Sequence, residues 1–278
     1  MWKGVETVSL FTVDQSKCKK DGICASECPV KIIRMGEDGF PAMLAEDFCI
    51  NCSHCVSVCP QGAVTLKTMK PEDLVAIKES LLPGPDQVAH FLSSRRSIRS
   101  YKSKPVDHEI LEKLIGTAGY APSGHNVQPV EWLVVENTDK VRSLSGIVVD
   151  WMRYMVKEKP EMAGPLHLDL VVARWEAGED AICREAPHVV VAHGLKKNPM
   201  SPAACTIALT YLELAAYSMG LGACWAGYFG IAASVFPPMV QALGLPEGHQ
   251  VFGAMMLGYP KFKYHRIPLR KKPVVTWK

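Results

Sequence analysis

The sequence has 278 residues, of which 48% are hydrophobic and 21% are charged, and its formal net charge at pH 7 is +3. This length accommodates two domains, and the apolar fraction suffices for a sizeable core in at least one of them. Apart from the short tail Arg270–Lys272, no run of basic residues stands out, so the charge pattern argues against nucleic-acid binding.

Two further features bear on location. The first residues, MWKGVETVSLFTVD, lack the continuous apolar stretch and the cleavage site of a secretory signal. The most apolar window, 203–219, is interrupted by polar residues and is too short to span a membrane. With no export signal to explain them, the cysteines are expected to be reduced. We therefore expect a cytoplasmic protein with no membrane association.

Seven of the ten cysteines lie in two related runs near the amino end. The second run, CINCSHCVSVCP, has the C-x2-C-x2-C-x3-C-P spacing of bacterial ferredoxins in its four cysteines, Cys49, Cys52, Cys55 and Cys59. The first run, CKKDGICASECP, repeats this spacing 31 residues earlier with three cysteines, Cys18, Cys24 and Cys28. In this register Asp21 takes the position of Cys52. The shared spacing indicates an internal repeat rather than a coincidence.

Residues 1–68 thus resemble the two-cluster ferredoxins. The resemblance implies that four cysteines hold one 4Fe–4S cluster: Cys28, Cys49, Cys52 and Cys55. It implies that Cys18, Cys24 and Cys59 hold the other cluster, with Asp21 at its remaining corner. Carboxylate oxygen is a harder ligand than thiolate, so we hypothesise a labile iron at Asp21 and conversion to 3Fe–4S on oxidation. The alternative is a solvated Asp21 beside a cluster that never has a fourth iron.

Secondary-structure patterns predict an α+β protein with two domains. Strands at 8–13 and 63–67 bracket the cysteine runs, and residues 69–88, with their Pro-Gly-Pro, read as a linker that holds at least a helical turn. The second domain, 89–278, contains periodic helices and apolar strands. Its helices are predicted at 107–119, 203–219 and 232–243, and its strands at 131–136, 187–193 and 251–257. The segment 150–185 has no clear pattern.

Three short fragments of the second domain suggest ligand binding. SRRSIRSY, at 94–101, concentrates guanidinium groups suited to phosphate or carbonyl oxygens, although alone such a run is more often a solvated basic surface. APSGHNVQP, at 121–129, is a rigid turn with amide side chains. GLGACWAG, at 220–227, permits close backbone approach. It is not a dinucleotide fingerprint, because it follows a helix and its third glycine comes too late.

In this order, the three fragments resemble the FMN-dependent nitroreductase family over residues 90–278. The resemblance implies that FMN is contacted through its phosphate, ribityl chain and pyrimidine edge by Arg95, Arg96, Ser97 and Arg99. It implies that the isoalloxazine ring is lined by Pro122, Ser123, Asn126 and Gln128. Ala226 and Gly227 would offer backbone groups near the ring. Arg266 would bind the phosphate, whereas Tyr264 stands where the family pattern has a lysine.

The same resemblance implies an intertwined homodimer with FMN at the subunit interface, in which the tail Ile267–Trp277 wraps the neighbouring subunit. The stretch Trp175–Pro187 is also similar to the cluster-bearing branch of the family. No nucleic acid or membrane is expected among the partners.

Iron–sulfur clusters carry single electrons, and a flavin can collect them and release a pair. We therefore predict an oxidoreductase that passes electrons from the clusters to FMN and on to a small nitro, quinone or activated-alkene acceptor. NAD(P)H and reduced ferredoxin are both natural donors. His125 and Cys224 are candidate proton donors, although each has a packing or hydrogen-bonding role as its alternative. An electron-transfer adaptor or redox sensor, whose flavin serves a protein partner, is the alternative function.

Overall fold

The computed structural model describes residues 9–278. The chain divides into two compact units. The first unit comprises the residues up to Pro83 together with His125–Val127, and the second comprises Gly84–Gly124 and Gln128–Lys278. Among the helices of the described residues, none is both long and apolar enough to cross a lipid bilayer.

The first unit is built around a two-stranded ribbon. Strand β1 (Phe11–Val13) pairs antiparallel with β4 (Val64–Leu66), which confirms the two predicted strands, although Val8 lies outside the described residues. Between them lie helix α1 (Ile23–Glu27), the hairpin β2 (Ile33–Met35) and β3 (Pro41–Met43), and helix α2 (His54–Ser57). The buried core of this unit is small and includes three of the cysteines, Cys24, Cys28 and Cys55.

The internal repeat of the sequence is also a repeat of backbone conformation. Lys20 and Asn51, 31 positions apart, are both left-handed, with φ of 59° and 51°. Gly22 and Ser53 precede α1 and α2, with φ of 72° and 59°. Left-handed conformations are uncommon outside glycine, so their recurrence supports the register drawn from the sequence. Asp21 and Cys52 each lie between two such residues.

Helix α3 (Pro85–Ser94) begins inside the segment that the sequence suggested as a linker. Residues 71–82 contain two 3-10 turns, Pro71–Asp73 and Glu79–Leu81. The Pro-Gly-Pro sequence, which predicts a break, is a helix N-terminus as well: Pro85 is the first helical residue, where a missing N–H costs nothing. Gln87 Oε1 accepts a hydrogen bond from Gly84 N at 2.9 Å.

The second unit is organised on a four-stranded antiparallel sheet of order β5-β6-β8-β7. The strands are β5 (Glu131–Val135), β6 (His188–Leu195), β7 (Gly222–Trp225) and β8 (His249–Gly258). Side chains of β6 alternate between two cores: Val189 and Val191 pack in one, and Val190 and Ala192 in the other. Both faces of the sheet are therefore covered, and the α+β prediction is confirmed.

Helices cover the two faces. Helix α4 (His108–Ala118) and helix α8 (Ser201–Ser218), both predicted, contribute to one core. The other core is covered by α5 (Thr138–Glu158), α7 (Leu168–Glu176) and two later helices, with the short α6 (Pro160–Ala163) between the first two. These helices occupy much of the segment for which the sequence analysis found no pattern. The signal was present, because α5 buries residues every third or fourth position: Val141, Leu144, Val148, Met152 and Met155.

The prediction of one helix over 232–243 is wrong. Two helices are present, α9 (Gly227–Val235) and α10 (Pro237–Leu243), separated by the extended residue Phe236 at φ −102° and ψ 109°. Proline disfavours helical conformation in the residue before it, and Pro237 therefore ends one helix and starts the next.

Candidate functional site

All ten cysteines carry free thiols, and seven of them fall into two spatial groups. The first group lines one cavity of the first unit and consists of Cys28, Cys49, Cys52 and Cys55. Apolar side chains of the hairpin and of β4, including Ile33, Met43 and Leu66, complete the wall. These four thiols are the set that the ferredoxin resemblance implies for one cluster. The geometry therefore brings together residues from both runs of the sequence.

The second group is Cys18, Cys24 and Cys59. Burial raises the pKa of the Cys24 thiol, and the neighbouring Cys59 and Cys18 add to the rise. Burial also raises the pKa of Cys55 to about 11, and there the contributing neighbours are Cys52 and Cys49. Thiols interact in this way only when they are close. Cys59 Sγ additionally accepts the backbone N–H of Ala63 at 3.3 Å, the kind of hydrogen bond that tunes a cluster's potential.

The thiol spacing distinguishes a cluster from a single zinc ion. Four sulfurs bound to one zinc at 2.3 Å would lie about 3.8 Å apart. In the described part of the chain, the three-residue group with ligand atoms within 4.8 Å of one another contains no cysteine. The thiol groups are therefore more open than mononuclear ligation requires. The four sulfur donors of the first group and the open spacing fit an iron–sulfur cluster.

Asp21 occupies the position of the first run at which the second run has a cysteine, Cys52. Its side chain is exposed, and its Oδ1 accepts the backbone N–H of Ile23 at 3.2 Å. Because the backbone on both sides repeats that around Cys52, the carboxylate replaces a thiol at an equivalent position.

The second unit has a cavity of about 1040 Å³. Its wall combines the end of α3 and the following residues with residues 259–267. Five lysine and arginine side chains line it, Arg96, Lys102, Lys261, Lys263 and Arg266, and no aspartate or glutamate is among the lining residues. The volume is at the upper end of the range for cofactor sites, about 300–1,000 Å³. This excess of positive charge suits a phosphate-bearing ligand.

Two predicted FMN contacts, Arg96 and Arg266, therefore lie at one cavity although they are 170 positions apart in the sequence. Tyr264, the departure from the family pattern, lines the same wall. Sequence reasoning missed Lys261 and Lys263, which supply two cations just before the expected lysine position, Tyr264. The sequence feature that could have identified these two lysines is the basic and aromatic run KFKYHR, which follows shortly after the last strand.

Arg95 has a different environment from Arg96. Its Nη1 donates to Glu213 Oε1 of α8 at 2.6 Å, and the two side chains are 21% and 11% exposed. Burial raises the pKa of Glu213, whereas Arg95 opposes that rise. A nearby hydroxyl pair, Ser94 Oγ and Tyr217 Oη at 2.9 Å, makes a second link from α3 to α8. The guanidinium of Arg95 is thus engaged within the protein.

The segment after Arg96 runs beside strand β7. Ile98 N donates to the carbonyl of Ala223 at 3.0 Å, and Tyr101 Oη donates to the carbonyl of Ile98 at 2.7 Å. Cys224 is buried, which raises the pKa of its thiol, and Arg99 and Ser97 partly offset that rise. These three predicted residues are therefore neighbours. A protonated, buried thiol at Cys224 is compatible with either of its proposed roles.

Two glycines of the GLGACWAG fragment have structural explanations. Gly220, at φ +74°, follows the end of α8 in the left-handed conformation that glycine favours. A Cβ added at Gly222 would lie 2.4 Å from Ile98 Cγ1, so this glycine permits a close approach of two chain segments. Gly227 begins α9 and has open space at its Cβ position, while Ala226 N donates to Ala254 O at 2.9 Å. The open space leaves Gly227 accessible to a ligand.

The turn at 121–129 contributes to a second, smaller cavity of about 130 Å³. Pro122, Ser123 and Gln128 line it together with α8. Ser123 Oγ accepts the N–H of Gln128 at 2.9 Å, which fixes the turn. His125, Asn126 and Gln128 are all left-handed, with φ near 50°. Such strained conformations concentrate at ligand sites.

Residues 125–127 of this turn group with the first unit. There Asn126 Nδ2 donates to the carbonyl of Asn51 at 3.0 Å. Asn51 directly precedes Cys52, so this turn residue is hydrogen-bonded to the second cysteine run.

The segment Trp175–Pro187 is organised by one buried carboxylate. Asp180 Oδ1 accepts the N–H groups of Ile182 and Cys183, both at 2.9 Å, and Oδ2 accepts that of Glu185 at 3.3 Å. Asp180 is 5% exposed. A carboxylate with three backbone donors is well satisfied, and its role here is to shape a tight loop.

Comparisons with known proteins agree with this geometry. Residues 92–259 match the model of the nitroreductase family, and residues 11–70 match a 4Fe-4S dicluster domain. An NADH dehydrogenase of Thermus thermophilus is 31% identical over 219 residues, which cover 72% of this chain and 100% of that protein. An iodotyrosine deiodinase of Daphnia pulex is 24% identical over 220 residues, covering 74% of this chain and 68% of that protein.

Among solved structures, a nitroreductase with bound FMN from Bacteroides fragilis has the same fold over most of the second unit. It superposes with a TM-score of 0.56 at 24% identity and covers 68% of this chain and 99% of that one. The chain belongs to the nitroreductase family, with a 4Fe-4S dicluster domain preceding the nitroreductase domain. These matches support an oxidoreductase.

Proposed function

We propose that the protein is an iron–sulfur flavoprotein oxidoreductase. In this proposal, electrons enter at two iron–sulfur clusters, collect on FMN and pass to a small organic acceptor of the nitro, quinone or activated-alkene type. When bound, the clusters carry single electrons and FMN converts them into pairs. The residues of the chain hold these groups, orient the acceptor and exclude water.

The observation that carries the proposal is the cavity with five basic side chains and no acidic one. FMN has a phosphate dianion, for which two arginines and several lysines in one wall provide charge-assisted hydrogen bonds. We assign Arg96 and Arg266 to the phosphate. Lys261 and Lys263 take the place of the family lysine that Tyr264 replaces. We assign Arg95 to the ion pair with Glu213 and not to an FMN contact.

For the clusters, we assign the cavity-lining group Cys28, Cys49, Cys52 and Cys55 to one 4Fe–4S cluster. We assign Cys18, Cys24 and Cys59 to the other, with Asp21 as a weak ligand to its fourth iron. The grouping of thiols described above and the repeat of backbone conformation around Asp21 support both assignments. On oxidation, the second cluster would lose the Asp21-bound iron and become 3Fe–4S.

We further propose that FMN binds between two copies of the chain. Arg96 and Arg266 line one cavity, whereas Pro122, Ser123 and Gln128 line another, and the two cavities share no lining residue. Separate cavities within one chain are compatible with one FMN whose phosphate contacts come from one subunit and whose ring-lining residues come from the partner subunit. Homo-oligomers are usually two-fold symmetric, so a dimer would have two equivalent sites.

The electron donor is proposed to be NADH, NADPH or a reduced ferredoxin. The Thermus thermophilus relative is named an NADH dehydrogenase, which supports a nicotinamide donor. The 4Fe-4S dicluster match supports a one-electron protein donor. The two routes differ in whether the clusters are required, and that difference can be measured.

The test is anaerobic reduction of the purified holoprotein by NADH, by NADPH and by reduced ferredoxin, followed by acceptors of the three classes. Flavin reduction and reoxidation are followed at visible wavelengths by stopped flow. The variant Cys55→Ser, which removes one proposed cluster ligand, is compared with Cys205→Ser, a buried cysteine outside both groups. We expect Cys55→Ser to slow flavin reduction by ferredoxin at least tenfold and Cys205→Ser to leave it unchanged.

An acceptor that reoxidises the flavin faster than buffer alone supports the enzyme. If no acceptor does so, the result favours the alternative function, an electron-transfer adaptor. Equal flavin reduction by ferredoxin in the two cysteine variants would contradict electron entry through the clusters.

A further inference from the structure

Three side chains meet on one face of the sheet, and none of them lines either cavity of the second unit described above. They are Glu131 of β5, His193 of β6 and His249 of β8. Each offers a ligand atom, and these atoms all lie within 4.8 Å of one another. In the described part of the chain, this is the group of three that could hold a metal ion.

Strand register explains why these side chains meet. Glu131 is directly opposite His193 across the β5–β6 pair. On the other side of β6, His193 is opposite Val251, and Leu195 is opposite His249. Opposite residues share a face, and so do residues two apart on one strand. His249 is therefore a diagonal neighbour of His193 on the face that carries Glu131. A register shift between Ala192 and His193 leaves Phe252 of β8 without an opposite residue, as in a β-bulge.

The distances fit ligation of one ion. His193 Nδ1 and His249 Nδ1 are 3.0 Å apart. Two nitrogens that each lie about 2.1 Å from one metal ion are about 3.0 Å apart when they subtend about 90°. Each imidazole binds an ion through one nitrogen only, so when His249 binds through Nδ1, its Nε2, 3.7 Å from Glu131 Oε1, is not a ligand. The ligand atoms that the three residues offer lie within 4.8 Å of one another. Ligands of one ion lie at most about 4.2 Å apart, and the exposed Glu131 side chain can rotate to meet that limit.

The environment suits a bound ion. His193 is 4% exposed and the His249 side chain 8% exposed, so both rings are held by the protein. The Glu131 side chain is 57% exposed, which leaves a route from solvent. Its carboxylate would also offset the charge of a cation. Without a metal, one histidine Nδ1–H donates to the other Nδ1, an arrangement that a metal replaces by binding both nitrogens.

We propose that Glu131, His193 and His249 form a binding site for a divalent first-row transition-metal ion. Two imidazoles and one carboxylate are a donor set found for Zn²⁺ and Fe²⁺ in proteins, and imidazole is disfavoured by Mg²⁺ and Ca²⁺. The site joins three neighbouring strands, so a bound ion would cross-link one end of the sheet. It needs neither the clusters nor FMN.

The probe is Zn²⁺, added anaerobically to holoprotein whose clusters are assembled so that the cluster thiols are occupied. Bound zinc is counted by equilibrium dialysis and elemental analysis. Three variants are compared with the wild type: Glu131→Gln, His249→Gln and the control Glu247→Gln. Glu247 is an exposed carboxylate two residues from His249 and outside the group. The exposed position of Glu131 makes its variant the one least expected to disturb folding.

We expect the wild type and Glu247→Gln to bind one zinc per chain with the same affinity, unaffected by a large excess of Mg²⁺. Glu131→Gln should weaken binding at least tenfold, and His249→Gln should remove it. Hydrogen exchange provides an independent readout, because zinc should slow exchange of the amides at the Glu131 end of β5 and the Leu195 end of β6 in the wild type and in Glu247→Gln but not in His249→Gln. Zinc binding that is absent from the wild type, or equal in the wild type and Glu131→Gln, overturns the proposal.

Discussion

Arg95 and Glu213 form a mostly buried ion pair of 2.6 Å that joins the end of α3 to α8. Removing one partner of such a pair leaves a charge without its counter-charge in a poorly hydrated place. We expect Arg95→Met to lower the free energy of unfolding of the second unit by about 2 kcal/mol. Tryptophan fluorescence reports this unit, because five of the six tryptophans lie beyond residue 130.

The loss should depend on pH. Burial raises the pKa of Glu213 above its ordinary value of 4.5, and Arg95 works against that rise. A carboxyl whose pKa is raised by folding contributes stability below its ordinary pKa, and that contribution is lost as the pH rises through the folded pKa. Arg95→Met raises the pKa of Glu213 in the folded protein further. The free energy of unfolding that the variant loses should therefore be smaller at pH 5 than at pH 8. If the variant loses the same free energy of unfolding at both pH values, or loses more at pH 5, the result contradicts the proposed role of the ion pair.

The proposed phosphate site predicts a different result for Arg96 and Arg266. A charge-assisted hydrogen bond contributes about 1.5–3 kcal/mol, so Arg96→Ala and Arg266→Ala should each weaken FMN binding by roughly 10–100-fold. Fluorescence titration of the flavin-free protein with FMN measures this. Arg270→Ala, an exposed arginine of the tail outside the cavity, is the matched control and should bind FMN as the wild type does. If all three variants bind FMN with equal affinity, Arg96 and Arg266 do not bind its phosphate.

The proposed dimer site can be tested by mixing two defective chains. Arg96→Ala should weaken the phosphate contacts, and Gln128→Ala the contacts with the ring. If FMN binds between subunits, a heterodimer of the two variants has one site with neither substitution and one with both. Co-expression with different affinity tags should therefore restore about half of the tight FMN binding. No restoration in the purified heterodimer would indicate that one chain supplies the whole site.

Asp21→Cys completes the second cysteine run. We expect this variant to keep a 4Fe–4S cluster after mild ferricyanide oxidation, whereas the wild type should give the EPR signal of a 3Fe–4S cluster, because thiolate holds the fourth iron more strongly than carboxylate does. Asp38→Cys, at an exposed loop of the hairpin, controls for an added thiol. In anaerobically prepared wild type, a 3Fe–4S signal that ferrous iron does not convert would favour the solvated Asp21.

The close approach of Ile98 to Gly222 predicts a sharp difference between two glycines. Gly222→Ala would place a Cβ 2.4 Å from Ile98 Cγ1, so the segments must separate. Overpacking of this kind costs about 1–3 kcal/mol, and we expect a lower thermal midpoint together with weaker FMN binding. Gly227→Ala, where nothing lies within 4 Å, should keep wild-type stability. If Gly222→Ala is as stable as Gly227→Ala, the contact does not constrain the fold.

Much of the candidate site could be predicted because its signals are local. The cysteine spacing, the turn residues 121–129 and the arginine cluster each lie within a dozen residues, and short-range geometry dictates them. In the second unit, the strands β5, β6 and β8 and the helices α4 and α8 followed from apolar periodicity. The break at Phe236 was missed although Pro237 signals it, and α5 was missed although its buried positions recur with helical spacing. In both places the sequence contains the local signal, the proline at 237 and the helical spacing of apolar residues in α5.

Other features have no local signal. The sequence itself determined that two cysteine runs repeat at an interval of 31 and that Asp21 replaces a cysteine, because both are matters of spacing along the chain. Only the tertiary structure decided that Arg95 pairs with Glu213 while Arg96 shares a cavity with Arg266, and that Glu131, His193 and His249 meet on one face. Strand register and helix packing bring together residues that lie far apart in sequence, and the contacts they create depend on the fold as a whole.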